Sequence, residues 1–304
     1  MTTTTLFNKT AFIGIGLIGS SLALAMKQHG LTNEIHVGDI NQDHCDQALS
    51  LKIADTATTN LAAAVKDADL VIIAAPVAAY KTVGEAISPH LKANAILTDV
   101  GSVKESIIND LEAFIPSTVQ FVPAHPISGT ENSGPTAGFS SLFENRWTIL
   151  TPHKKTTETA VKKIRKMWEQ CGANVEIMSP GHHDRVFAVT SHLPHLIAYT
   201  IVGTATDLED HLESEVIKYS AGGFRDFTRI AASDPTMWRD IFLKNKTATL
   251  DVLQRFTEDL TALQRAIRHD DGETLHTLFT RTRDTRRQII DIEQHRYKKG
   301  ENEC

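Results

Sequence analysis

The segment Gly14-Ile15-Gly16-Leu17-Ile18-Gly19 constrains this chain more than any other feature. A GxGxxG pattern alone is a weak signal. Here it follows the apolar run Ala11–Ile15 and opens a helix-like stretch, Gly19–His29, which is the setting that dinucleotide binding requires. Gly14 permits the tight turn, Gly16 clears the space where backbone approaches a pyrophosphate, and Gly19 lets the helix lie close to the strand. Leu17 and Ile18 belong to the glycine turn just before that helix, whose N-terminus offers free N–H groups and a positive dipole end to phosphate oxygens.

Asp39 follows about 20 residues after Gly19, at the end of a second apolar strand, where the acid of such a site belongs. A carboxylate there accepts from ribose hydroxyls and repels a 2′-phosphate. No arginine follows among Ile40, Asn41 and Gln42, so the expected coenzyme is NAD rather than NADP. The plainer readings are a chance glycine turn and, for Asp39, a surface turn. Ala75 and Pro76, at the end of one further strand, and Gly101, just past another, complete the expected coenzyme site.

Strand-like runs at Ile35–Val37, Leu70–Ala75, Ala95–Thr98 and Val119–Val122 alternate with helix-like stretches at Gln42–Leu51, Val77–Ile87 and Ser102–Phe114. Such alternation predicts a parallel sheet with helices on both faces. Trp147–Leu150 and Asn174–Ile177, around a helix over Thr157–Gln170, are expected to extend that sheet. After Ser179-Pro180 the pattern turns almost wholly helical: Leu193–Asp207, Pro235–Phe242, Asn245–Ile267 and Gly272–Tyr297. The expected fold is therefore α/β: a Rossmann-like, doubly wound, mostly parallel sheet over residues 1–178, followed by an all-helical domain over 179–304. Long apolar helix faces need a partner surface. Either the helices pack on one another or a second copy covers them.

The net charge of -6 gives no bulk electrostatic case for nucleic acid or an anionic membrane. It also means that an anionic substrate needs locally placed arginines. The three cysteines, Cys45, Cys171 and Cys304, are widely spaced without a CxxC, which argues for a reducing compartment and against zinc. With no signal peptide and no run of 18 or more apolar residues, cytoplasm is the expectation. His192 and His195 lie three apart, yet no further ligand has a suggestive spacing, so no metal is expected. Arg281, Arg283, Arg286 and Arg287 fit a solvated helix face.

Asp99-Val100-Gly101-Ser102-Val103-Lys104, His125-Pro126-Ile127-Ser128-Gly129-Thr130-Glu131 and Ser191-His192-Leu193-Pro194-His195 are similar to signature segments of the prephenate/arogenate dehydrogenase family. So is Gly222-Gly223-Phe224-Arg225-Asp226-Phe227-Thr228-Arg229-Ile230-Ala231, followed by Ser233–Asp240. The likeness runs in the family's order from the glycine turn to Leu243; the last helices carry no signature. It implies oxidative decarboxylation of prephenate or arogenate with NAD, on the route to tyrosine, by a homodimer joined through the helical domain.

The resemblance makes His125 the catalytic histidine. A neutral imidazole accepts a hydroxyl proton near pH 7; the plain alternative is a structural histidine in a His-Pro turn. Ser102 is implied beside the reacting hydroxyl, although Ser102-x-x-Glu105 also spells a capping box. His195 is implied to line the substrate pocket and His192 to support it. Arg229 suits a substrate carboxylate, because a guanidinium fork matches it in a bidentate way; a salt bridge is the bland reading. Trp238 either walls the pocket or packs in the dimer core. Thr130 and Glu131 are expected at the rim and Gly222 on the substrate side. His182-His183 reads only as a helix start. A β-hydroxyacid-type dehydrogenase leaves His125–Glu131 and Ser191–His195 unexplained, and a non-catalytic NAD-binding redox sensor needs none of His125, Ser102 and Arg229.

Overall fold

A computed structural model of the chain describes residues 5–130, 132–207, 218–219 and 222–291. Two compact units are present, Met1–Thr249 and Leu250–Cys304. The first is built on a six-stranded sheet: β1 (Phe7–Ile13), β2 (Thr32–Gly38), β3 (Thr56–Thr58), β4 (Leu70–Ile73), β5 (Ile96–Asp99) and β6 (Gln120–Val122). All neighbours run parallel, in the order β3-β2-β1-β4-β5-β6. Ile13 pairs with Gly38 on one side and Ile73 on the other, so the glycine turn leaves the sheet where the strand order reverses, the place such folds bind ligands.

Strands β4 and β5 are buried along their whole length, because helices cover both faces. The helices of the sheet region are α1 (Leu17–Gln28), α2 (Gln42–Ser50), α3 (Leu61–Val65), α4 (Tyr80–Ile87), α5 (Glu105–Glu112) and α6 (Glu158–Gln170). One core layer gathers Leu22, Met26, Phe143, Ile164 and Trp168. The other gathers Val65, Val83, Ile87, Ile107 and Leu111, together with Trp238 and Ile241 from far along the chain. Each fully buried large apolar side chain stabilises by roughly 1.5–3 kcal/mol.

The expected extension of the sheet is not what forms. β7 (Ala124–Pro126), β8 (Trp147–Leu150) and β9 (Asn174–Ile177) make a separate three-stranded sheet, with β7 antiparallel to β8 and β8 parallel to β9. Pro123, between β6 and β7, has no N–H to continue the first ladder. Its carbonyl accepts instead from Thr151 N–H at 2.9 Å.

After β9 come α7 (Pro180–Phe187), a π-helical turn (Ala188–His192), α8 (Leu193–Thr206), α9 (Gly222–Thr228) and α10 (Pro235–Lys244). Ser179 and Asp234 cap α7 and α10, each followed by proline at the first helical position. Against the expectation of no long apolar stretch, Pro180–Thr206 is long and apolar enough, by length and composition alone, to cross a membrane. The sequence hides this because the apolar residues are interrupted by His, Asp and Arg. Helix α11 (Lys246–Arg268) runs from the first unit into the second, where α12 (Gly272–Asp291) follows. Leu250, Leu260, Ile267 and Phe279 of this second unit are exposed.

One ion pair sits at the centre of the first unit. Lys104 and Asp99 are both fully buried and 2.6 Å apart. Asp99 also accepts from Tyr80 OH at 3.1 Å, Gly101 N–H at 2.8 Å and Ala124 N–H at 3.1 Å. Lys104 Nζ donates in turn to the Ala124 carbonyl at 2.7 Å. The pair thus clamps β5 to the residue before His125. Removing one partner of a buried pair leaves an uncompensated charge, so Lys104→Met should destabilise the protein by about 3–5 kcal/mol. Urea unfolding measures it; a loss under about 1 kcal/mol, the value of an exposed pair, would refute the clamp.

Candidate active site

Gly14 adopts φ +88°, and a Cβ there would lie 2.7 Å from backbone atoms of Ala74. The turn is therefore pressed onto the end of β4. Above Gly16 there is open space within 4 Å. Gly16 caps α1 without a side-chain hydrogen bond, and the first turn carries no acidic residue. Uncapped N–H groups facing open space at a helix start form a cradle for phosphate. Asp39 is buried beside it: one oxygen accepts from Ile15 N–H at 3.0 Å, the other from Asn41 N–H at 2.9 Å. His44 Nδ1 stands 3.4 Å from the same carboxylate. These residues fit a dinucleotide.

Past β5 and β6, a line of hydrogen bonds leads through buried side chains. His125 Nδ1 is 2.8 Å from His183 Nε2, and His183 Nδ1 is 2.8 Å from Asp184 Oδ1. The carboxylate only accepts, so His183 Nδ1 carries a proton. His183 is neutral, because burial lowers its pKa; Lys104 pushes the same way and the Asp184 hydrogen bond opposes. Its Nε2 therefore accepts, and His125 Nδ1 donates. This leaves the His125 lone pair on Nε2, which makes no hydrogen bond among the described residues. Burial holds His125 well below the ordinary histidine range, and the Lys104 ammonium pushes the same way. Phe187 closes the apolar side, its ring 4.8 Å from His125 and 4.5 Å from His183.

Asp184 has a second task. It accepts from the backbone N–H groups of Lys104 at 2.8 Å and Glu105 at 2.9 Å. The start of α5 is thus capped by a carboxylate 80 residues away in the chain. The local capping box does not form, and the Ser102 hydroxyl makes no hydrogen bond among the described residues. On the next stretch of helix, His195 stacks on Trp238 with ring centroids 3.6 Å apart. His195 Nδ1 lies 2.8 Å from the Ser191 carbonyl, so it donates and Nε2 holds a lone pair. Burial lowers the His195 pKa, and Arg229 adds to the effect. Arg229 itself is exposed and opens a short 3-10 turn, Arg229–Ala232.

Comparison with known proteins bears directly on this constellation. The model of the prephenate dehydrogenase nucleotide-binding domain matches residues 22–177, and that of its dimerization domain matches 179–281. The chain belongs to the prephenate dehydrogenase family. It is 43% identical to cyclohexadienyl dehydrogenase of Zymomonas mobilis over 282 residues, 93% of this chain and 96% of that one. It is 37% identical to prephenate dehydrogenase of Bacillus subtilis, covering 90% of this chain and 74% of that one. Among solved structures, prephenate dehydrogenase from A. aeolicus in complex with hydroxyphenyl propionate and NAD+ superposes with a TM-score of 0.86 at 36% identity, covering 93% and 98% of the two chains. Synechocystis arogenate dehydrogenase gives 0.79 at 26% identity, covering 92% and 99%.

Within this member of the prephenate dehydrogenase family, His195 stacks on Trp238 and feels the charge of Arg229, while His125 belongs to the line that ends at Asp184. Ala75 and Pro76 follow β4 beside the glycine turn; Leu17 and Ile18 are half-buried in α1. A Cβ on Gly101 would press on the Ile107 side chain and come within 3.0 Å of Asp99 Oδ2 and the Tyr80 hydroxyl, so close packing favours glycine there. Thr130 is half-buried and its hydroxyl accepts from Asn132 N–H. Gly222 opens α9. Glu131 lies outside the described residues. Sequence reasoning passed over His183, Asp184, Lys104 and Asn245. A histidine followed by aspartate in the first helical turn was the available sign.

Three buried histidines, His125, His183 and His192, have lowered pKa values. The unfolded chain takes up protons on them near pH 6.5, before the folded chain does, so stability is full above pH 6.5 and falls below it. His192, lowered to about 4, contributes roughly 3 kcal/mol of loss by that pH. Urea midpoints should therefore drop clearly between pH 7.5 and pH 5. Equal midpoints would show that these rings are not buried as neutral groups.

Proposed function

We propose that this chain catalyses NAD-dependent oxidative decarboxylation of prephenate to 4-hydroxyphenylpyruvate, of arogenate to tyrosine, or of both. The observation that carries the reading is the hydrogen-bonded line His125–His183–Asp184, which leaves a neutral acceptor nitrogen on His125. NAD, held by Gly14, Gly16, Gly19 and Asp39, supplies the hydride acceptor when bound. His125 Nε2 takes the ring hydroxyl proton, and His183 with Asp184 shares the charge that develops. Ser102, with its hydroxyl released from capping, orients that same hydroxyl. Arg229 holds a side-chain carboxylate, and His195 Nε2 accepts from a substrate donor while Trp238 walls the pocket. Loss of the ring carboxylate as CO2 leaves an aromatic ring, which makes the reaction one-way.

The helical residues 179–304 carry the second half of this proposal. Val189, Ile201, Met237 and Leu243 are exposed in the first unit, and Leu250, Leu260, Ile267 and Phe279 in the second. In the second unit a groove of about 980 Å³ runs along α11, lined by Leu250, Leu253, Thr257, Thr261 and Ala266. A second copy of the chain covers these surfaces in a two-fold dimer. The same exposed residues explain why Pro180–Thr206 is apolar without implying a membrane. Nothing in this reading calls on nucleic acid, and the cytoplasm, where the substrates of tyrosine synthesis occur, is the proposed location.

Spectrophotometric assay of NADH formation with prephenate and with arogenate tests the activity; no turnover with either would end the proposal. His125→Asn should lower kcat by roughly 10²–10⁴-fold with little change in KM. Because the active form of His125 is neutral and its pKa is depressed, kcat/KM should fall only as the pH drops well below 6.5. An acid limb at or above 6.5 would contradict a buried, neutral His125 with its lone pair on Nε2. Arg229→Ala should raise KM about ten- to a hundredfold, as expected for losing a charged hydrogen-bond partner. An unchanged KM would remove Arg229 from substrate binding.

A further inference from the structure

Asn245 stands between α10 and α11 and is 5% exposed. Its side-chain nitrogen lies 2.9 Å from the Asp184 carbonyl and 3.1 Å from His192 Nδ1. A carbonyl only accepts, so the NH2 end of the amide must face this pair. One hydrogen goes to Asp184 and the other to His192, whose Nδ1 must then hold its lone pair. Burial keeps His192 neutral, with its pKa at about 4; Asp184 opposes that effect, while His183 and His195 reinforce it. A neutral ring with an accepting Nδ1 carries its proton on Nε2.

That Nε2 is buried and has no hydrogen-bond partner among the described residues. The ring meets Trp238 edge-on, at 6.1 Å and 77°, and Phe242 at 6.5 Å and 90°. An N–H beside aromatic rings makes only a weak contact, so the tautomer is set at Nδ1. A ring carrying its proton on Nδ1 instead would set an N–H against the Asn245 NH2 group. Trp238 in turn is the ring on which His195 stacks. The wall of the site therefore hangs from one amide, which also grips the backbone of Asp184 at the end of the histidine line.

We infer that Asn245 is a positioning residue for substrate binding: it fixes the tautomer of His192, seats Trp238 against His195, and ties that wall to Asp184. Its kinetic consequence rests on the dehydrogenase reading above; its tautomer assignment does not. Aspartate at this position offers only acceptors, so His192 must then bind a proton at Nδ1.

Imidazole ¹⁵N NMR of the wild-type protein tests the first part, with the His192 signals identified by their loss in His192→Gln. The expected result is a neutral Nε2–H ring between pH 7.5 and pH 5. An Nδ1–H ring would overturn the inference. In Asn245→Asp, Nδ1 should be protonated at pH 7, and KM should rise about tenfold, the scale of one lost hydrogen bond. kcat should stay within about twofold, and NAD affinity, measured by fluorescence titration, should be unchanged. An unchanged KM, or losses in kcat, KM and NAD affinity together, would reduce Asn245 to a structural residue. If Asn245→Asp does not fold, Asn245→Ala carries the same KM test. A wild-type protein with the expected His192 signals but no turnover of prephenate or arogenate would sink the dehydrogenase reading and support the tautomer assignment.

Discussion

The Asp184 carboxylate is the joint on which the site is assembled. It accepts from two backbone N–H groups at the start of α5 and from His183 Nδ1. The first two bonds place a negative charge at a helix N-terminus, where the dipole favours it. The third decides where every proton along the line to His125 resides. Because Lys104 supplies one of those N–H groups and its ammonium binds Asp99, the cap and the buried ion pair reinforce each other. One end of His125 is held through its ring, and the strand that carries it is held through Ala124.

The cation suited to an anionic group stands apart from the neutral imidazoles. The interior holds imidazoles kept uncharged by burial, suited to giving and taking protons. The guanidinium of Arg229 stays at the exposed margin. A chain of net charge -6 attracts an anion only through such a local cation. His195 lies between the two regimes: it feels Arg229 yet presents a neutral acceptor.

Much of this was legible in the sequence, for physical reasons. Strands buried on both faces appear as continuous apolar runs, so β1, β4 and β5 stood out, and the glycine turn identified its own setting. The short pair β3 and α3, three and five residues long, lies below the length at which periodicity speaks. The second sheet was missed because the consequence of Pro123 for strand pairing is not local. Ser102 and Glu105 spelled a capping box, but a carboxylate from α7 outcompeted the hydroxyl. His183 looked like a helix start, and it is one; that it also meets His125 depends on a contact across 58 residues. Propensity rules see neighbours, and the candidate site is made of distant ones.

The π-helical turn over Ala188–His192 explains how a single helix can serve Asn245 twice. Asp184 and His192 are eight residues apart, which in a regular α-helix is about 800° of rotation, or roughly 80° past two full turns. The two residues would then look in different directions. A π turn absorbs one extra residue, about 100° of winding, and nearly restores the alignment. The bulge thus works as a phase corrector: one extra residue in the turn brings two separate stripes of a single helix into line.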